Sequence, residues 1–259
     1  RMRWTGFRKV RRQVRKRLVR RLDDLELGTL AEYQIYLERH PGEWRVLDTL
    51  CRITISRFYR DRGVFDRLQT AILPNLAQTA LRTGDAMVRC WSVGCASGEE
   101  PYTLSILWKL AIAPNLPSGV TLDVTATEAN ARLLERAKAA IYESSSIKEL
   151  APGLADAAFD QTTAGFALRD RFKRGVRLIE QDIRNSQPEG MFHLVLCRNL
   201  VFTYFDDTLQ SDVLERITQR LVPGGYLIVG IHEAIPDGFP TLTPHAGVPG
   251  IYRKGGPSS

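Results

Sequence analysis

Two adjacent carboxylates directly behind a glycine turn, Glu99 and Glu100, are the residues of this 259-residue chain whose spacing most clearly suggests chemistry. They lie in Trp91-Ser-Val-Gly-Cys-Ala-Ser-Gly-Glu-Glu-Pro-Tyr102, between the strand-like apolar run Met87–Val93 and helical periodicity over Thr103–Leu110. Gly94 and Gly98 let the backbone turn sharply and pass close to a ligand that a Cβ would obstruct. Ser97 is the expected helix N-cap, with Glu99, Glu100 and Pro101 in a first turn that favours acids and proline. Two acids behind the turn would repel a phosphate and attract a cation. S-adenosylmethionine, with its sulfonium and α-ammonium, is a ligand of that kind.

Further polar residues fall where strands should end. Val120–Thr127 alternates into a second strand ending at Glu128, placed where a Rossmann-type sheet holds ribose hydroxyls. Its distance from the glycine turn suits one strand–helix–strand unit. Val176–Gln181 reads as a third strand ending at Asp182, and Met191–Cys197 as a fourth ending at Arg198 and Asn199. Tyr226–Ile231 is a fifth, introduced by a Pro223-Gly-Gly225 turn after a helix over Asp207–Leu221. Each of Glu128, Asp182 and Asn199 also suits an ordinary turn or cap. Their conjunction with the glycine turn favours one crevice at the carboxyl ends of an open α/β sheet.

Taken together, Phe58-Tyr-Arg-Asp61, Trp91–Tyr102, Ala126-Thr-Glu128, Leu196-Cys-Arg-Asn199 with Tyr204-Phe-Asp206, and Pro223-Gly-Gly225 resemble the chemotaxis methyltransferases. That family methylates receptor glutamates with S-adenosylmethionine and releases S-adenosylhomocysteine. The resemblance runs from about Leu30 to Glu233. It implies a class I, Rossmann-like methyltransferase sheet (α/β) with an N-terminal all-helical domain. It places Arg60 at the joint of cofactor and acceptor, with Thr54 and Ser56 at neighbouring cofactor positions, Ser56 standing where threonine is usual. It implies Glu100 for the methionine ammonium, Glu128 for the ribose, Asp182 and Ile183 for the adenine, and Gly94, Arg198 and Asn199 around the methionine end. Asp182 stands where the family commonly has asparagine. The family's tyrosine follows its asparagine by four positions, whereas Asn199-Leu-Val-Phe-Thr-Tyr204 has one more residue. Either Thr203 or Tyr204 could therefore face the transferred methyl. The segment 142–174, where some members carry a peptide-gripping β-subdomain, is short and suggests a reduced one.

The expected domains are a helical part over 1–81 and a cofactor-binding part over 82–259. Hydrophobic residues at 44% and charged residues at 25% are ordinary for a globular chain. No apolar run approaches the roughly 18 residues of a membrane span, and the cysteines Cys51, Cys90, Cys95 and Cys197 show no metal-site spacing. A cytoplasmic location without metal or membrane insertion is expected. The net charge of +7 is unevenly distributed: Arg1–Arg21 holds eleven Lys or Arg and no acid, so the remainder is net acidic. Trp4, Phe7, Val10, Val14 and Leu18 give this stretch helical amphipathicity with a basic outer face. Such a face can be merely solvated, or it can dock an acidic protein such as a receptor cytoplasmic domain. Nucleic acid is the less favoured partner, because signatures of base methylation are missing from the sequence. Methylation of a different acceptor (peptide, small molecule or RNA) and a non-catalytic cofactor-binding sensor are the rival readings.

Overall fold

The computed structural model describes residues 2–3, 6, 10–51, 55–117, 119–245 and 247–256. Thr54, Trp4 and Phe7 lie outside them. The chain divides into two compact units, Met2–Ile55 and Ser56–Ser259, so the helical run that follows Asp61 counts with the sheet and not with the N-terminal helices.

The first unit is built from α1 (Arg11–Asp24), α2 (Leu30–Arg39) and α3 (Glu43–Cys51). Thr29 starts α2 with a capping box: its side chain accepts from the Glu32 N–H, and the Glu32 carboxylate accepts the Thr29 N–H at 3.0 Å. Leu22, Tyr33 and Leu37 form the core, with Leu18, Leu25 and Leu47 packed around them. Val10 and Val14 are buried, while Arg11, Arg12, Arg15, Lys16, Arg17 and Arg20 are exposed, which gives α1 its two faces.

The second unit opens with α4 (Arg62–Arg67), which runs through a π-helical turn, Leu68–Ile72, into α5 (Leu73–Thr83). The elements that follow are β1 (Met87–Val93), α6 (Glu99–Leu107), β2 (Thr121–Glu128), α7 (Ala131–Ala139), β3 (Ile141–Tyr142), α8 (Ser144–Ile147), α9 (Pro152–Ala158), β4 (Phe159–Thr162), β5 (Gly165–Leu168), α10 (Asp170–Lys173) and β6 (Val176–Glu180). Next come β7 (Phe192–Leu196), α11 (Val201–Tyr204), α12 (Asp207–Arg220), β8 (Leu221–Ile228), β9 (Leu242–Pro244) and β10 (Ile251–Lys254). No helix among the described residues is long and apolar enough to cross a membrane.

Seven strands form one sheet in the order β6-β2-β1-β7-β8-β10-β9. The first five are parallel, and β10 closes antiparallel against β8 and β9. The chain builds outward from β1 through β2 to β6, then returns to the other side of β1 with β7. That reversal makes the carboxyl end of β1 the topological switch point, where open α/β sheets bind ligands. The middle strands bury residues on both faces because helices cover a parallel sheet from both sides; Val88, Cys90, Trp91, Val124 and Leu194 are fully buried.

Two local expectations change. Ser97 does not cap α6: Gly98, at φ +90°, takes the N-cap position without a side-chain bond. The Pro223-Gly-Gly225 turn lies inside β8, where the pairing with β7 shifts register, and α12 ends at Arg220. The segment 142–174 holds a three-stranded antiparallel sheet, β3-β5-β4. Phe58 pins that sheet to the main body, edge-on to Tyr142 at 4.8 Å and to Phe159 at 5.1 Å. The Tyr142 hydroxyl then donates to the Ser97 carbonyl at 2.7 Å, joining the small sheet to the glycine turn.

Candidate active site

At the carboxyl end of β1 the backbone passes through Gly94 at φ +67° and Ala96 at φ +53° before Gly98 starts α6. A Cβ on Gly94 would lie 2.5 Å from Leu200 Cδ2, so this glycine lets the loops after β1 and β7 pack together. Besides Tyr59 at φ +57°, the left-handed region is adopted here by Ala96, Asp61 at φ +63° and Asn199 at φ +55°, and these last are held from a distance. Such conformations cost about 1 kcal/mol or more each and persist only where surroundings enforce them. A charged side chain from elsewhere in the chain holds each of these last three. Glu128 accepts the Ala96 N–H at 3.0 Å, Arg198 donates to Asp61 Oδ2 at 2.6 Å, and Glu233 accepts the Asn199 N–H at 2.8 Å.

Arg198 is the hub. Its side chain is only 3% exposed; Nη1 donates to Glu100 Oε2 at 2.9 Å, and Nη2 to Asp61 and to the Arg60 carbonyl at 2.8 Å. The Phe65 ring lies 5.2 Å from the guanidinium carbon. Glu100 also accepts from Ser92 Oγ at 2.7 Å. The Phe58–Asp61 motif is thereby fastened to the end of β7 and to the first turn of α6. Arg60 is close enough to Tyr204 to favour its phenolate, against burial and Glu233, which together push the Tyr204 phenol up.

Glu128 is buried and bridges two loops, its other oxygen accepting the Asn130 N–H at 2.9 Å. Asp182 is chelated by Arg184, whose Nη2 donates to Oδ2 at 2.6 Å and whose backbone N–H donates to Oδ1 at 3.0 Å. Ile183 is buried beside it. Ser56 hydrogen-bonds Glu99, a 2% exposed acid whose pKa burial raises. His193 accepts the Arg89 N–H through Nδ1 at 3.0 Å, and burial with Arg89 lowers its pKa; it belongs to the sheet and not to the crevice.

The structure thus brings Arg60, Gly94, Glu100, Arg198, Asn199 and Tyr204 together, with Glu128 on the adjoining strand end. Two contributors escaped the sequence reading. Glu233 ties the loops after β7 and β8, a role visible only once those strands are neighbours. Gln181, at the end of β6, buries an Oε1 that has no hydrogen-bond partner. Arg198 Nε and Glu99 Oε2 are likewise buried without partners. Glu99 stands in the first turn of α6, and Gln181 and Arg198 follow the ends of β6 and β7, so this unmet hydrogen-bonding capacity lies along the carboxyl edge of the sheet, as do the carboxylates of Glu100 and Glu128. That donor set fits a cationic nucleoside such as S-adenosylmethionine.

This sheet order, its terminal antiparallel pair and an acid-lined switch point define a Rossmann-like, S-adenosylmethionine-dependent methyltransferase. The family described as "CheR methyltransferase, SAM binding domain" matches residues 54–248. The chain is 30% identical over 251 residues to chemotaxis protein methyltransferase 1 of Pseudomonas aeruginosa, covering 93% of this chain and 88% of that one. It is 31% identical over 231 residues to the chemotaxis protein methyltransferase of Salmonella typhimurium, covering 86% and 76%. A chemotaxis protein methyltransferase of Listeria monocytogenes is 26% identical over 223 residues, covering 86% and 81%. The chain belongs to the CheR methyltransferase family.

Proposed function

We propose that the methyl acceptor is a glutamate carboxylate of a chemoreceptor-type protein, held by Arg60 next to Tyr204. The supporting observation is the fastening of the Arg60 backbone at the carboxyl end of β7 by Arg198, with Arg60 and Tyr204 in electrostatic contact. A guanidinium stays charged at every working pH and takes a carboxylate through two parallel hydrogen bonds. When bound, S-adenosylmethionine supplies an electrophilic methyl group. A glutamate with a pKa near ~4.3 is already ionised, so the protein need not supply a strong base. Its work is to orient the acceptor oxygen and keep competing water out.

In the same reading Glu100 and Glu128 hold the cofactor's ammonium and ribose. Gly94, Arg198 and Asn199 shape the methionine end, and the family resemblance assigns Thr54 and Ser56 to the cofactor as well. Ile183 and Asp182 border the adenine, with Asp182 already bonded to Arg184. A functional boundary between 1–81 and 82–259, distinct from the packing boundary after Ile55, belongs to this proposal, as does a cytoplasmic site of action. So does docking of an acidic receptor surface on the exposed cations of α1.

Transfer of label from methyl-labelled cofactor into a chemoreceptor cytoplasmic fragment tests the acceptor. Base-labile methyl ester is expected in the wild type. Arg60→Ala should cut turnover by about a hundredfold, the scale of a misplaced reactant, with a much smaller change in S-adenosylhomocysteine affinity. A parallel loss of affinity would move Arg60 to the cofactor's own carboxylate. Base-stable label alone would exclude a glutamate ester.

A further inference from the structure

One carboxylate, that of Glu233, gathers three donors from two separate loops. Its Oε2 accepts the Asn199 N–H at 2.8 Å and the Gly230 N–H at 2.6 Å, while Oε1 accepts the Thr203 hydroxyl. The Glu233 N–H in turn donates to the Gly230 carbonyl at 2.8 Å, closing a tight loop beyond β8. The fit leaves no room for change at its centre. A Cβ on Gly230 would stand 2.8 Å from Glu233 Oε2 and 3.1 Å from Asn199 Oδ1. A half-buried carboxylate that satisfies two backbone donors and one hydroxyl is a strong and directional tie.

The tie acts on the part of the chain where this sequence carries one residue more between Asn199 and its tyrosine. Thr203 and Tyr204 are consecutive in α11, so their side chains diverge by about 100° around the helix axis. Binding Thr203 to Glu233 turns that side chain toward the loop beyond β8. The direction of Tyr204 is then fixed, and its ring falls within the electrostatic reach of Arg60 and Glu233. The backbone agrees: the Tyr204 N–H donates to the Leu200 carbonyl at 2.9 Å, so the segment between Asn199 and Tyr204 closes as a helical turn.

We infer that Thr203 and Glu233 form a clamp that positions the Asn199–Tyr204 segment, so that Tyr204 and not Thr203 faces the methyl acceptor. The inference rests on the protein-glutamate reading only for the identity of that acceptor. Thr203 and Glu233 are positioning residues, acting through Tyr204 and Asn199. The two members of the clamp act differently. Thr203 holds only the helical turn, whereas Glu233 also holds the Asn199 backbone at the methionine end. Losing Thr203 should therefore impair transfer alone, and losing Glu233 should impair cofactor binding as well.

The test compares Thr203→Val, Thr203→Ser and Glu233→Ala with the wild type, each also in a Tyr204→Phe background. S-adenosylhomocysteine affinity is read by calorimetry. The ionisation of Tyr204 is read as the ultraviolet difference between each protein and its Tyr204→Phe counterpart, a measurement that needs no acceptor. Thr203→Val should lower kcat about tenfold or more, leave S-adenosylhomocysteine affinity within twofold, and move the Tyr204 titration down toward the free phenol value of about 10. Thr203→Ser, which keeps the hydroxyl, should behave as the wild type. In the Tyr204→Phe background Thr203→Val should add no further loss of kcat, because the two changes break one coupled unit. Glu233→Ala should weaken S-adenosylhomocysteine binding severalfold. If Thr203→Val unfolds the chain, Thr203→Ala, which removes the same hydroxyl without changing any charge, carries the same Tyr204 titration test. An unmoved Tyr204 titration, or losses that simply add in the Tyr204→Phe background, overturns the clamp. A shifted titration in a protein that esterifies no receptor glutamate overturns the acceptor assignment and leaves the clamp standing.

Discussion

Each unit of this protein encloses an arginine–carboxylate cluster, and the two clusters are put together differently. In the helical unit Arg21 donates to Glu43 through Nε at 2.9 Å and Nη2 at 2.7 Å, and the Tyr33 hydroxyl adds a third bond at 2.8 Å. These residues stand in the regular helices α1, α2 and α3, so the triad fixes how three amphipathic helices register against one another. In the sheet unit Arg198 ties irregular segments, the Phe58–Asp61 turn and the first residues of α6, to the end of a strand. Its cluster is incomplete: Arg198 Nε and the neighbouring Glu99 Oε2 are buried and unpartnered. Unmet hydrogen-bonding capacity normally costs a protein about 1–3 kcal/mol per group. Such a cost is accepted where a ligand completes the bonding. A complete cluster organises packing, and an incomplete one at a switch point prepares a binding site.

The largest effects should come from breaking the two clusters separately. Removing one partner of a buried ion pair strands the other, at a cost of roughly 3–5 kcal/mol. Glu43→Ala should approach the lower end, since the Arg21 side chain is 25% exposed, and should leave S-adenosylhomocysteine affinity unchanged. Arg198→Leu should cost stability too and abolish measurable S-adenosylhomocysteine binding. Chemical unfolding and calorimetry on both variants check this, and equal binding losses would collapse the distinction. The helical cluster also has a pH signature. Hydrogen bonds from Arg21 hold the Glu43 carboxyl below its ordinary range. Its stabilisation is therefore complete above about pH 5 and is lost as pH falls through the depressed native value. Glu43→Gln should flatten the acid limb of the stability curve.

Glu128→Ala sharpens the same contrast at intermediate size. Its carboxylate holds the Ala96 and Asn130 N–H groups and is expected to take the cofactor's ribose. Loss of a hydrogen-bonded charged group should weaken S-adenosylhomocysteine binding by roughly 1.5–3 kcal/mol. Unchanged affinity by calorimetry would remove Glu128 from the binding site and leave it a loop brace.

The glycine turn, the strand ends and the helical N-terminus were legible in the sequence because each is a local pattern. An apolar run marks a buried strand, and acids follow a turn within a few residues. The clusters were not legible. Arg198 reaches Asp61 across 137 positions and Glu100 across 98, and only the β1–β7 pairing brings them together. Glu233 has no local signature either. The chelation of Asp182 by Arg184 spans two residues and could have been suspected, but an acid followed by an arginine is common in solvated loops. At the glycine turn Ser97 carried the better capping propensity, yet the turn requires φ +90° at the cap itself, which only glycine adopts readily.

The smallest expected effect tests the outer face of the helical unit against its inner one. Arg12, Arg15 and Lys16 are exposed on α1, whereas Val14 on the same helix is 3% exposed and Arg21 is committed to Glu43. Reversing the three exposed cations to glutamate should leave the triad, the fold and cofactor affinity intact. If α1 docks an acidic receptor surface, the apparent KM for a receptor fragment should rise severalfold, each exposed contact contributing only a few tenths of a kcal/mol up to about 1. The wild-type KM should climb with added salt, because exposed charges are screened over about 8 Å at physiological ionic strength. The reversed variant should show a flatter salt dependence. RNA would give the same salt trend, so competition decides between them: RNA that displaces the receptor fragment and itself gains label would transfer the basic face to nucleic acid. An unchanged KM in the reversed variant would leave Arg12, Arg15 and Lys16 as a solvated face of α1.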